Sequence, residues 1–175
     1  RWKRAFDQMQ SQTRRMNALV NDLLLLSRLE NDKNIAKNQI IEMPSLMNQL
    51  FDDAQAYNID YGHTLNLDID SHCDLIGSDM ELASAFSNLI TNAIKYTPKG
   101  GIITMGWHDD GESAYFVVED NGIGLDPKHL PRLTERFYRI DSDRSRRTGG
   151  TGLGLAIVKH VLMQHQAHLE IESKE

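Results

Sequence analysis

The sequence predicts an α+β fold: a two-layer α/β sandwich, with helices on one face of a mixed sheet, preceded by a long bundle-forming helix. Three observations carry this. Thr64-Leu-Asn-Leu-Asp-Ile69 alternates apolar and polar residues, the period of a half-buried strand, and so does Leu169-Glu-Ile-Glu172. Residues 102–108 and 114–119 read as two strands joined by Asp109-Asp-Gly-Glu112, a hairpin. The remaining apolar residues recur at helical spacing and are bracketed by helix start and stop signals.

Residues 1 to about 31 read as one helix. Trp2, Met9, Met16 and Leu23 recur every seven residues, as do Phe6, Thr13 and Val20, which is a bundle seam. Leu23 to Leu26 is apolar nearly all round, so that end should be covered by other helices. Asn31-Asp-Lys-Asn34 is a polar break and the expected domain boundary, dividing the chain into 1–34 and 35–175. Gln39 to Met43 reads as a short strand. Pro44 suits the first turn of a helix that buries Leu46, Met47, Leu50, Phe51 and Ala54. Leu75-Ile76 reads as an edge strand, with Cys73 packed in or near it.

Ser78-Asp-Met-Glu81 is a capping box that opens a central helix, and Pro98-Lys-Gly-Gly101 ends it. A short helical stretch to about Glu135 follows the loop at Gly122 to Pro127. Tyr138 to Gly150 has almost no apolar residues and should be mobile. Leu153 to Gln164 reads as a helix with Leu155, Ile157, Val158, Val161 and Leu162 mostly buried.

The composition is ordinary for a globular chain of 175 residues, 40% apolar and a quarter charged. A formal charge of −6 argues against an extended nucleic-acid surface. A single cysteine can form no internal disulfide, which fits a reducing cytoplasm. No apolar run is long enough to span a bilayer. The abrupt ends read as those of a piece of a longer protein, with any membrane attachment in segments outside it.

Three stretches carry chemistry. In the central helix Asn88, Asn92, Lys95 and Tyr96 fall on one stripe, opposite Phe86, Leu89, Ile90, Ala93 and Ile94. Amide oxygens are hard ligands for Mg²⁺, and a lysine is a point charge for phosphate. The same stripe could equally be the solvated face of an amphipathic helix. Asp120-Asn-Gly122-Ile-Gly124 follows a strand directly. Its carboxylate can accept from an exocyclic amine, and its glycines let a flat ring approach, although Asp-Asn-Gly is also ordinary turn chemistry. Gly149-Gly150-Thr151-Gly152-Leu153-Gly154-Leu opens a helix whose free amides suit phosphate, and it matches neither a P-loop nor a dinucleotide fingerprint.

Together and in this order these stretches, with Glu135-Arg-Phe137-Tyr138, resemble the N, G1, F and G2 boxes of the ATP-binding domain of sensor histidine kinases. The resemblance covers residues 35–175. The first thirty residues resemble the second helix of that family's dimerisation and phosphotransfer hairpin, most clearly in Arg15 to Glu30. The resemblance implies the fold that histidine kinases share with gyrase and Hsp90, with ATP and Mg²⁺ as ligands. It assigns Asn92 to the metal, with Asn88 beside it. Lys95 would neutralise phosphate and Tyr96 would line the site. Asp120 would read the adenine amine in a pocket shaped by Gly122 and Gly124. Phe137 would anchor the start of a lid and Arg139 would reach the γ-phosphate. Gly150, Thr151, Gly152 and Gly154 would form the lid hinge and phosphate turn, with Leu153 near the base. It further implies a homodimer, a response-regulator receiver domain as partner, and the cytoplasmic portion of a bacterial inner-membrane sensor.

The family's Ser-His-Glu-Leu-Arg-x-Pro acceptor motif is absent from this chain. None of the seven histidines has its context, so structural or solvent roles are expected for all of them. Two rival functions keep the same fold. A hydrolase of the gyrase or Hsp90 type would carry a glutamate where Asn88 stands, and an amide cannot serve as that base. A nucleotide-responsive interaction domain would not need Asn92, Asp120 and Arg139 together.

Overall fold

The main sheet is built from the alternating segment at Thr64–Ile69 and the two strands of the expected hairpin. In the computed structural model, which describes residues 2–31, 39–140 and 150–173, strand β2 (Thr64–Ile69) pairs in parallel with β4 (Ile102–Asp109). Strand β4 in turn pairs antiparallel with β5 (Ala114–Asp120). Leu65, Leu67 and Ile69, the buried Ile103, Met105 and Trp107, and Phe116 and Val118 all join the core from this sheet. A smaller antiparallel pair, β1 (Gln39–Ile41) with β3 (Leu75–Gly77), forms a separate sheet.

Among the described residues there are four α-helices: α1 (Trp2–Asn31), α2 (Met43–Asn58), α3 (Asp79–Tyr96) and α4 (Gly154–Gln164). A 3-10 helix spans Pro127–Arg132. Pro44 sits in the first turn of α2, where its missing N–H costs nothing. Helix α3 is the middle of the molecule, packed against α2, α4, β4 and β5. It buries Leu82, Ala85, Phe86, Ile90, Ala93 and Ile94. Phe86 stacks on Phe116 of β5 with centroids 4.1 Å apart, an aromatic pair worth about 0.5–1.5 kcal/mol beyond area burial.

Both ends of α3 are fastened by histidines. At its start only half of the capping box forms. Ser78 Oγ accepts from Glu81 N at 3.4 Å, but Ser78 N–H donates to His165 Nε2 at 3.2 Å instead of to Glu81. His165 Nδ1 lies 2.7 Å from the Val161 carbonyl, so the ring is the neutral tautomer with its proton on Nδ1. Near its end the Ile94 carbonyl accepts from His63 Nε2 at 3.0 Å, and His63 is 7% exposed. His63 is itself held by Asn58, whose side chain bonds both its N–H and its carbonyl. These two rings are structural, as expected of the histidines.

Three expectations need correction. Residues 169–172 form no strand: their burial alternates, but no ladder pairs them with any described residue. Alternation reports a half-buried extended segment, and packing of Leu169 on the core satisfies it without a partner. Cys73 is exposed; its carbonyl accepts from Trp107 Nε1 while its thiol stays outside. The leucine-rich end of α1 is covered on one side only. Leu26 and Leu29 are buried in the core cluster, while Leu24 is exposed. The seam positions Trp2, Phe6, Met9 and Met16 stand in solvent, Trp2 at 90%. The boundary expected at residues 31–34 falls mostly outside the described residues, as does most of the stretch expected to be mobile.

The joint between β3 and α4 is tight. A Cβ on Gly77 would stand 2.4 Å from the His165 ring. Gly77→Ala should therefore cost about 1–3 kcal/mol by overpacking. In a His165→Ala background most of that cost should vanish. Urea unfolding of the four proteins of this cycle measures the coupling.

Candidate functional site

The C-terminal half of α3, the end of β5 and the entry to α4 converge. Asn88 turns its amide nitrogen back to the Ser84 carbonyl at 2.9 Å. Its oxygen then faces Gly154, where a Cβ would come within 2.5 Å of it. Glycine at 154 is thus what lets the N-terminus of α4 approach the polar stripe. Asn92 is half-buried and Tyr96 partly exposed, its hydroxyl on the side of Gly150.

Lys95 lies deeper. Burial pushes its ammonium below the usual lysine range, and the Asp22 carboxylate of α1 pulls it partly back up. The Asp22 charge offsets this desolvation only in part, and a phosphate would supply the rest.

Asp120 closes β5. Its Oδ1 accepts from Gly122 N–H at 2.8 Å and lies 3.4 Å from the hydroxyl of Thr97, which is buried just past the end of α3. A Cβ on Gly122 would strike Oδ1 at 2.4 Å. Oδ1 is therefore committed to the protein, and Oδ2 is the oxygen left for a ligand. Gly124 adopts φ +66° in the loop beyond.

Phe137 and Gly152 meet at the base of the segment between them. Phe137 N–H donates to the Gly152 carbonyl at 2.8 Å. Both residues have positive φ, 62° and 75°. A side chain on Gly152 would stand 2.9 Å from the Phe137 Cα, so only glycine fits there. The Phe137 ring is 56% exposed, so its backbone rather than its ring makes this anchor. Its neighbours are also tied down. Glu135 pairs with Arg132, Arg136 with Glu30 of α1, and the Tyr138 hydroxyl with His129 Nδ1 at 2.6 Å. The Arg132 guanidinium lies 4.2 Å over the Tyr138 ring.

Arg139 packs its stem near Gly152, and its Nη2 is buried without a hydrogen-bond partner among the described residues. A buried guanidinium donor with no acceptor is a costly group that an anion would satisfy. Thr151 Oγ1 accepts from Leu153 N–H at 3.2 Å and donates to Asp22 Oδ2 at 2.8 Å. Leu153 is fully buried ahead of α4.

The structure thus brings Asn88 to Gly154, Tyr96 to Gly150, Asp120 to Gly122, and Phe137 and Arg139 to Gly152, with Gly124 in the loop after β5. Two contributors carried no sequence signal as site residues. Thr97 is recognisable only once β5 is beside α3, and Asp22 lies on an element more than a hundred residues away from Thr151. Residues 141–149 lie outside the described residues.

A family model described as Histidine kinase-, DNA gyrase B-, and HSP90-like ATPase matches residues 77–175. That is more than half of the chain, and the chain belongs to this family. Within it, the likeness is to sensor histidine kinases. The chain is 54% identical over 173 residues to the phosphate regulon sensor protein PhoR of Pseudomonas aeruginosa, covering 99% of this chain and 39% of that protein. To the PhoR of Haemophilus influenzae it is 43% identical over 175 residues, covering 99% and 40%. The solved structure of the mycobacterial sensor histidine kinase MprB superposes with a TM-score of 0.64 at 26% identity, covering 74% of this chain and 80% of that one. The chain spans about two fifths of the length of the curated relatives it matches. The expected fold is the one found, and it is that of the family's ATP-binding domains.

The lowered Lys95 pKa has a sign that can be measured. Phosphate binding needs the charged form, so affinity for ATP should fall as pH rises, starting below the ordinary lysine value of 10.5. Lys95→Arg keeps its charge throughout, and its affinity should stay flat over the same range. Isothermal titration across pH checks both curves.

Proposed function

We propose that this chain binds Mg·ATP and supplies the catalytic half of a protein-histidine kinase, delivering the γ-phosphoryl group to an imidazole on a dimerisation helix that is not part of it. Residues 1–34 are the second helix of that hairpin with its linker, and 35–175 the catalytic domain. The observations that carry this are one carboxylate oxygen left over at Asp120 and one unsatisfied guanidinium nitrogen at Arg139. Among the described residues Asp120 Oδ2 is uncommitted, where an adenine amine can donate, and Arg139 Nη2 has no acceptor, where phosphate can accept.

Asn92 and Asn88 would hold Mg²⁺, and the Asn88 oxygen, turned out by the bond from its nitrogen to Ser84, suits a hard cation. When bound, the metal neutralises phosphate charge. The chain's own residues do the rest. Lys95, Arg139 and the amides at the start of α4 orient the phosphates. Gly122 and Gly124 let the base approach, and Tyr96, Phe137, Gly150, Thr151, Gly152, Leu153 and Gly154 frame the entrance. Transfer is then an in-line displacement: the nitrogen–phosphorus bond forms as the bond to the bridging oxygen breaks and ADP leaves. The family likeness supports a receiver aspartate as the next acceptor, a homodimer in the whole protein, and attachment to the bacterial inner membrane through other segments. No described helix is long and apolar enough to cross a membrane.

Hydrolysis is the weaker reading because Asn88 has no basic atom with which to activate water. Radiolabel from γ-labelled ATP tests the choice. The chain alone should acquire no acid-labile label, and a separate hairpin bearing a His-Glu motif should acquire it in trans. Asp120→Asn should raise the ATP requirement about 10- to 100-fold. Gly122 N–H holds the amide oxygen at the Oδ1 position, so an NH₂ would then face the adenine amine. Robust label on the chain alone, or unchanged ATP affinity in Asp120→Asn, contradicts the reading.

A further inference from the structure

Helix α1 does more than precede the catalytic domain. Its last turns are docked on α4: Leu26 and Leu29 are buried there, Gln164 Nε2 donates to the Leu29 carbonyl at 2.6 Å, and Glu30 pairs with Arg136 and lies 3.5 Å from His160 Nε2. Two turns before Glu30, the same helix carries one carboxylate into the phosphate end of the site. Asp22 Oδ2 accepts the Thr151 hydroxyl, and its charge acts on Lys95. Thr151 in turn holds the Leu153 amide at the entry to α4. Asp22 therefore occupies, with a negative charge, the partners that a terminal phosphate would use.

Resting on the nucleotide reading above, we propose that Asp22 is a specificity-determining residue that sets the site against nucleoside triphosphate more than against diphosphate, so that ATP occupancy and docking of α1 oppose each other. The physical reason is like-charge repulsion. A polyphosphate neutralising Lys95 must approach Asp22, and the further its charge extends along the site the greater the repulsion. The repulsion is relieved when α1 lifts from α4, because the buried contacts holding it there, Leu26 and Leu29, lie at one end of a helix whose Trp2, Phe6, Met9, Met16 and Val20 are exposed. By linkage the two effects are equal in size: whatever factor α1 docking takes from ATP affinity, ATP takes from docking. Release of α1 on loading would free the helix just when the γ-phosphoryl group is in place.

The isosteric Asp22→Asn isolates the charge, because its amide oxygen can still accept from Thr151. Displacement of a fluorescent nucleotide from the full chain gives the affinities. ATP should bind Asp22→Asn roughly tenfold more tightly than wild type, within the usual range for coupled sites, with a much smaller change for ADP. In parallel, spin labels on the exposed Cys73 and on Asn17→Cys report the position of α1 by dipolar spectroscopy. Mg·ATP should lengthen and broaden that distance in wild type, and ADP should do so less. The proposal is overturned if ATP and ADP affinities in Asp22→Asn match wild type, or if Mg·ATP binds and leaves the distance unchanged. Failure of both proteins to bind any nucleotide would overturn the nucleotide reading itself.

Discussion

Everything at the site depends on how α3 is held. Its apolar side is clamped between α2 and the sheet, with Ile94 fully buried and Phe86 stacked on Phe116. That clamp leaves the helix no freedom to rotate, because a turn of one residue would bring Asn92 or Lys95 into the core. The polar stripe is therefore aimed by burial. The histidines at either end fix the remaining degree of freedom, sliding along the axis: His165 holds the first turn and His63 the last. Neither residue touches the site, yet both determine where Asn88 meets Gly154.

The second constraint is electrostatic. The protein keeps an ammonium desolvated at Lys95 and, among the described residues, a guanidinium donor unsatisfied at Arg139. Both groups are unfavourable alone and favourable around an anion, so binding is favoured by relieving costs already present. Asp120 works in the opposite sense. With Oδ1 fixed by Gly122 and Thr97, its second oxygen is preorganised and needs no reorientation when a base arrives. The strained φ at Phe137 belongs to the same pattern, since backbone strain of this kind persists only where surrounding contacts enforce it. Here the contact is the bond to the Gly152 carbonyl.

Much of the fold was legible because local period and burial agree. Thr64–Ile69 alternates and forms a strand, the turn at Asp109 to Glu112 joins β4 to β5, and Ser78 and Pro98 bracket α3 as their chemistry suggests. The same rule misleads at residues 169–172, where alternation survives without a ladder, since period 2 reports environment and not pairing. The box residues were legible through their order along the chain. What stayed hidden were contacts of long sequence separation. Glu81 looks like the reciprocal arm of a capping box, and only the tertiary structure reveals that His165 has taken the Ser78 amide. Asp22 looks like one more exposed position on a bundle helix, and its hydroxyl partner lies 129 residues away. No pattern read along one element encodes such a meeting.

The central claim is that one ligand spans from Asp120 to the start of α4, its base at one end and its phosphates at the other. Amide chemical-shift mapping with the ligand taken apart tests it most directly. Adenosine alone should move the resonances of Asp120, Gly122 and Thr97 and leave those of Leu153 and Gly154 in place. Inorganic triphosphate with Mg²⁺ should do the reverse and should also move the side-chain amides of Asn88 and Asn92, and Mg·ATP should produce both sets together. Shifts from Mg·ATP that cluster elsewhere, or fragments that perturb the same residues as each other, would contradict it.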